Sequence, residues 1–233
     1  MKQIILIIFV MFTSLFAEGK IDTKQMIVVT TKSWNDNYGK LQRYEYSKQR
    51  WHKVGDTIDI KLGRNGLGWG IGLHQTPKNA TYIKHEGDGR SPAGIFELKQ
   101  AFGYEPYDIS YPYKVYKRTD HCVDDIHSKY YNKIVDSTKV DIDYKSKEYM
   151  KFAKDYYSYG ITVNHNHFDE DGAIAGRGSC IFIHIKDIPT AGCTVMNKAQ
   201  IQEILKWLDK DKNPILVQGT YKSVQKLIQN YIK

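Results

Sequence analysis

A histidine inside an apolar run and a cysteine in the loop after it are the side chains of this sequence best suited to chemistry. The segment reads Gly176-Arg-Gly-Ser-Cys180-Ile-Phe-Ile-His184-Ile-Lys-Asp-Ile-Pro-Thr190-Ala-Gly192-Cys193-Thr-Val-Met196, with nine residues from His184 to Cys193. A cysteine attacks at neutral pH as its thiolate, so it needs a base or a cation beside it. A His on a rigid strand facing a Cys on the following loop supplies one. Gly192 lets the backbone aim the N–H groups of Gly192 and Cys193 at a developing oxyanion. A half-buried His and a Cys packed as a small hydrophobe fit the same spacing. Spacing alone leaves both readings open.

The elements that must position these groups are mostly strands. Met26–Thr31 is a β-branched run, and Leu41–Ser47 follows the turn-like Asn35-Asp-Asn-Tyr-Gly39, so the two read as a hairpin. Trp51–Val54 and Thr57–Leu62 read as strands on either side of Gly55-Asp56, and Gly63–Gly70 is too glycine-rich for a helix. Ser146–Tyr159 has helical composition and ends at Gly160. Ile161–Val163, Cys180–Ile185 and Pro214–Gln218 read as buried strands. Asn197 with Gln200 forms a capping box before the stripe Ile201, Ile204, Leu205 and Leu208. Val224, Leu227, Ile228 and Tyr231 line a terminal amphipathic helix. The expected fold is mainly β with peripheral helices, and 18–233 is expected to form one domain, since no linker, repeat or low-complexity tract divides it.

The chain has 233 residues, 41% of them hydrophobic and 13% aromatic, which excludes a disordered chain and a polytopic membrane protein. Its 34 basic and 26 acidic residues leave a net charge of +8, but the lysines are dispersed. No basic run points to nucleic acid. Residues 1–17 read as a signal peptide: Lys2, an apolar stretch from Ile4 to Phe16, then Ala17. Export places Cys122, Cys180 and Cys193 in an oxidising compartment. Without a C-x-x-C pair, zinc-ribbon and thioredoxin-type readings fall away. His165-Asn-His167 has no following ligand helix to make a nuclease site, and no metal or cofactor is expected.

The run Ser179-Cys-Ile-Phe-Ile-His184 followed by Thr190-Ala-Gly-Cys193 resembles the catalytic signature of the L,D-transpeptidase (YkuD-like) family. Upstream, Glu86-Gly-Asp-Gly-Arg90-Ser-Pro92-Ala-Gly94-Ile-Phe96 is similar to the family's Gly-Asp-Gly-x-Thr-Pro-x-Gly-x-Phe segment, and Leu62-Gly-Arg-Asn-Gly66 precedes it in family order. Thr190-Ala191 stands where Ser-His is commonest, as in a subgroup of the family, and Thr194, Val195 and Met196 stand where an Arg is usual. The resemblance implies a β-sandwich-like catalytic domain. It implies Cys193 as nucleophile, His184 as general base and a thioester at the L-centre of diaminopimelate in a peptidoglycan stem. An amine then resolves the thioester, or water does so in an L,D-carboxypeptidase. A catalytically silent peptidoglycan-binding module on the same scaffold is the alternative of another class. Arg64, Thr190 and His165 are the candidate substrate contacts. Asp88, Arg90 and Pro92 are expected to build a tight turn, and the acids from Asp124 to Asp136 to cap turns or to order a lid.

A nucleophile must stay reduced, which leaves Cys122 and Cys180 free to pair; two separate buried thiols are the alternative. Peptidoglycan stem peptides are the expected partners, nucleic acid is not, and the membrane enters only through the signal peptide. The expected state is a monomer in the periplasm or at the cell wall.

Overall fold

The computed structural model describes residues 20–233. The signal-peptide expectation, residues 1–17, lies outside the described residues. The strands are β1 (Gln25–Thr31), β2 (Tyr38–Ser47), β3 (Arg50–Lys61), β4 (Leu67–Trp69), β5 (Ser91–Gly103), β6 (Tyr113–Val115), β7 (Asp120–Cys122), β8 (Ile134–Asp136), β9 (Glu148–Tyr149), β10 (Tyr159–Val163), β11 (Phe182–Ile185), β12 (Thr194–Met196) and β13 (Ile215–Thr220). Two helices, α1 (Lys198–Trp207) and α2 (Tyr221–Tyr231), flank β13 in sequence. The chain is mainly β with few helices.

The large sheet runs β10-β11-β12-β3-β2-β1-β13-β5, and β5 pairs in turn with β10, so the sheet closes on itself. Closure removes the exposed edges that an open sheet would leave. Ile27, Val29, Leu41, Ile95, Ile161 and Ile183 fill the interior and are essentially inaccessible. Asn197 caps α1 through its bond from the Gln200 N–H, with the reciprocal bond present, and buries Ile201, Ile204 and Leu205. Thr220 caps α2, which buries Val224 and Leu227.

The segment expected as two strands around Gly55-Asp56 is the single strand β3, with a register shift against β2 between Leu41 and Arg43. The Gln42 amide donates to Val54 O and Gly55 O across that irregularity. Gly55 sits at φ +63°, and a Cβ there would stand 2.1 Å from the Arg43 guanidinium. The strand continues because a side chain satisfies the carbonyls that the bulge strands.

The helix expected over Ser146–Tyr159 does not form. That stretch holds β9, a 3-10 turn at Asp155–Tyr157 and the start of β10. Its polar groups are met from elsewhere: the Tyr104 hydroxyl donates to Lys154 O and accepts from Tyr157 N, and Lys151 Nζ donates to Tyr104 O. Met150 and Tyr157 are drawn into a second apolar cluster with Phe102, Tyr116 and Phe182. Tertiary packing outweighs the small helix propensities involved.

That second cluster lies between β11 and a three-stranded sheet, β8-β7-β9, built by the insertion after β6. A disulfide joins Cys122 on β7 to Cys180 just before β11, with Cα atoms 6.0 Å apart and a sequence separation of 58. On the chain-entropy estimate, closing that loop stabilises the fold by about 4 kcal/mol. Thermal unfolding with and without reductant is expected to show this as a drop in Tm of roughly 8–16 °C; an unchanged Tm under complete reduction would contradict it.

Candidate active site

Strand alternation decides which groups share the site. Along β11, Ile183 and Ile185 belong to the main core, so Phe182 and His184 face the other way. β12 runs parallel to β11 with His184 opposite Val195. Met196 belongs to the main core, while Cys193 and Val195 belong to the second cluster with Phe182. Cys193 and His184 therefore stand diagonally on one face, and both line one cavity of about 790 Å³.

Each is held by the backbone. The Phe182 N–H donates to Cys193 Sγ at 3.3 Å, and Sγ donates to Cys180 O at 3.5 Å. Cys180 sits at φ +54°, and its N–H donates to Asn132 Oδ1. The disulfide and Asn132 together fix the carbonyl that receives the thiol proton. His184 Nδ1 lies 3.2 Å from Tyr156 O and 3.1 Å from Ile185 O. Both partners are acceptors, so Nδ1 carries the hydrogen and Nε2 is the basic nitrogen. The Tyr157 ring meets the imidazole edge-on, 4.7 Å between centroids.

Burial pushes the Cys193 thiol up, and the neighbouring Glu148 carboxylate adds to this; the Phe182 N–H, Lys186 and Lys84 oppose it. Burial lowers His184 to about 4. At rest the pair is therefore a thiol and a neutral imidazole, with no hydrogen bond between them.

Of the expected oxyanion pair, the Gly192 N–H is engaged within its own loop. The Gly192 N–H donates to Thr190 Oγ1 at 3.1 Å, and Thr190 Oγ1 donates to Cys193 O at 2.7 Å. Thr190 thus braces the loop that carries Cys193. Thr190 lines the cavity wall. Arg64 does not line it: its side chain is exposed, and its backbone N–H donates to Thr190 O at 2.9 Å. His165 is also outside it. It is 1% exposed, accepts from Ile71 N at Nδ1 and donates from Nε2 to Arg177 O. It straps the loop before β11 to the bend at Ile71 after β4, because two backbone partners match both ring nitrogens. Among the described residues, no three His, Cys, Asp or Glu side chains gather as metal ligands.

The two sequence motifs meet at Glu86, whose Oε2 accepts from Ser179 Oγ at 2.7 Å and from the Tyr131 hydroxyl at 2.6 Å. Asp88 closes the expected turn, accepting from Arg90 N and His85 N. Arg90 is spent on Trp34 O, Leu67 O and the Tyr82 ring. Asp125 and Asp136 cap turns, accepting from His127 N and Thr138 N. Asp124, Glu148, Tyr157, Lys84 and Lys186 also line the cavity; of these the sequence marks only Asp124, as one of the acids that could order a lid. The insertion brings in both acids, and no local pattern marks Glu148.

Three buried histidines set an acid limit on stability. Desolvation lowers His74 to about 4, His165 to about 3 and His184 to about 4, against 6.5 for the free side chain. The folded state thus binds fewer protons than the unfolded chain below pH 6.5. Their contribution is complete above that pH and is lost as pH falls toward 4. Glu148, raised to about 7 by burial, works in the opposite sense, one carboxyl against three imidazoles. The urea midpoint is expected to fall steadily from pH 7 to pH 4.5; a flat profile would show that the histidines are charged or exposed.

No family model and no curated protein matches the chain. Among solved structures, the helical cell shape determining protein Pgp2 from Campylobacter jejuni resembles it with a TM-score of 0.40 and 13% identity, over 86% of this chain and 49% of that one. The chain spans about half the length of that protein.

Proposed function

We propose that this chain is a cysteine L,D-transpeptidase acting on peptidoglycan stem peptides. The observation that carries the reading is a lone reduced thiol and an imidazole with an unoccupied Nε2, set on one face of paired strands and opening into one cavity. A silent binding scaffold has use for neither group. The motif resemblance supplies the substrate class, and the Cys122–Cys180 disulfide fits an exported protein working in the periplasm or at the cell wall.

In the first half-reaction Cys193 Sγ attacks the carbonyl carbon at the L-centre of the stem's third residue. The thiol proton passes to His184 Nε2, and the carbonyl oxygen draws on the Cys193 N–H. His184 then returns the proton to the leaving nitrogen as the C–N bond breaks, and the terminal D-residue departs. Lys154 and Lys186 line the cavity and suit the carboxylates of such a donor. The test is intact-mass spectrometry of the protein incubated with a stem tetrapeptide. The expected result is a thioester adduct on Cys193 with release of the terminal D-residue. A protein that stays unmodified and leaves the peptide intact would refute the proposal.

A further inference from the structure

We infer that Asp124 and Glu148 form the acceptor subsite, which holds the ammonium group of the amine that resolves the thioester. This rests on the transpeptidase reading and names its second substrate. Both residues come from the insertion, and both line the cavity that holds Cys193. Asp124 Oδ1 is buried and has no hydrogen-bond partner. The Tyr157 hydroxyl donates to Glu148 Oε2, leaving the other oxygen without a protein partner. Asp124 and Glu86 both disfavour ionisation of Glu148, so carboxylates crowd this wall.

An unpaired carboxylate oxygen out of water is costly, and a cation relieves it. Among the described residues, no lysine lining the cavity forms an ion pair with either acid, although the charge of Lys186 favours the Glu148 carboxylate. Lys84 Nζ is bound to Asp88 Oδ1 and His85 O, each at 2.6 Å, and Lys186 lies over the Tyr156 ring. A second observation in the same cavity also points to a ligand. His184 is 4% exposed, and its Nε2 has no protein partner. Lys186 directly follows β11 of the closed sheet, and the acids Asp124 and Glu148 sit on the insertion. The cavity thus offers one wall for an anionic donor and another for a cationic acceptor.

The step balances. The acceptor enters as R–NH3+, and the Glu148 carboxylate takes one proton. The amine nitrogen attacks the thioester carbon, the C–N bond forms and the C–S bond breaks. The second proton passes from nitrogen through His184 Nε2 to the departing sulfur, which leaves Cys193 as a thiol and Glu148 protonated.

The experiment follows partition of the thioester. The donor is an isotope-labelled stem tetrapeptide with its side-chain amine acetylated, and the acceptor is a stem tripeptide with that amine free. Mass spectrometry measures cross-linked product against hydrolysed donor in one reaction, so the ratio does not depend on how fast the thioester forms. Asp124→Asn and Glu148→Gln are each expected to lower the ratio at least tenfold, with Asp124→Glu recovering part of it. Ratios within twofold of the unmodified protein in both variants would overturn the inference. If no thioester forms at all, the transpeptidase reading itself fails. Binding to the Cys193→Ala variant then decides the subsite: the free-amine tripeptide is expected to bind about tenfold tighter than its acetylated form, and equal affinities would overturn the assignment.

Discussion

Cys193→Ala is expected to leave no measurable turnover and no adduct with a stem peptide, a loss of roughly 10⁴-fold or more when a covalent nucleophile is removed. Stability must be separated from chemistry here, because the thiol is 6% exposed and packs with Phe182 and Val195. The alanine leaves the Phe182 N–H without its acceptor, and losses of this kind cost on the order of 1–3 kcal/mol. Cys193→Ser resolves the ambiguity. A hydroxyl can take the place of the thiol between the Phe182 N–H and Cys180 O, so the fold should hold. Yet a serine hydroxyl beside an imidazole lowered to about 4 is far harder to ionise, and activity should fall nearly as far. Normal rates in a folded Cys193→Ser protein would end the proposed mechanism. Unfolding of both variants would instead assign the thiol to the core.

What the sequence made legible and what it hid follow from the range of the interactions. The box formed by Asn197 and Gln200 is local, so α1 could be read directly. Ile183 and Ile185 alternate with Phe182 and His184 in a strand whose period is visible in the chain. Register between β11 and β12 then brings His184 and Cys193 together, a short-range consequence of the loop between them. The Thr190 side chain shows where local reading stops. Its type suits a substrate contact equally well, and only the bond to the Gly192 N–H reveals a loop brace that removes a supposed oxyanion donor. His165 fails for the opposite reason, since its two partners, Ile71 and Arg177, come from separate segments. Glu148 reaches the cavity because β9 pairs with β7, placing it opposite Cys122, and the disulfide then anchors β7 beside β11. Each of those steps is non-local. The aromatic stretch ending at Tyr157 misleads as a helix because its partners, Tyr104 and Phe182, lie far along the chain.

His184→Ala and His165→Ala together separate a base from a strap. Both rings are buried, both are lowered by desolvation, and both donate to backbone carbonyls. They differ in the second nitrogen. His165 uses both nitrogens on the protein, whereas His184 keeps Nε2 for the cavity. Removing His184 should cut thioester formation by about 10²–10⁴-fold, the range for a lost general base, and raising the pH should recover part of the rate as the thiol ionises without help. Removing His165 should act through stability, because Ile71 N and Arg177 O lose their partner. Its urea midpoint should fall, while the rate per folded molecule stays within a few-fold. The readouts are single-turnover thioester formation by mass spectrometry across pH 6–9 and urea unfolding of the same samples. If His165→Ala gives the larger rate loss at full stability, the base lies outside β11 and His184 is a packing residue. If His184→Ala leaves the rate and its pH dependence unchanged, proton removal from Cys193 needs another acceptor. Glu148, which lines the same cavity, would be the first to replace.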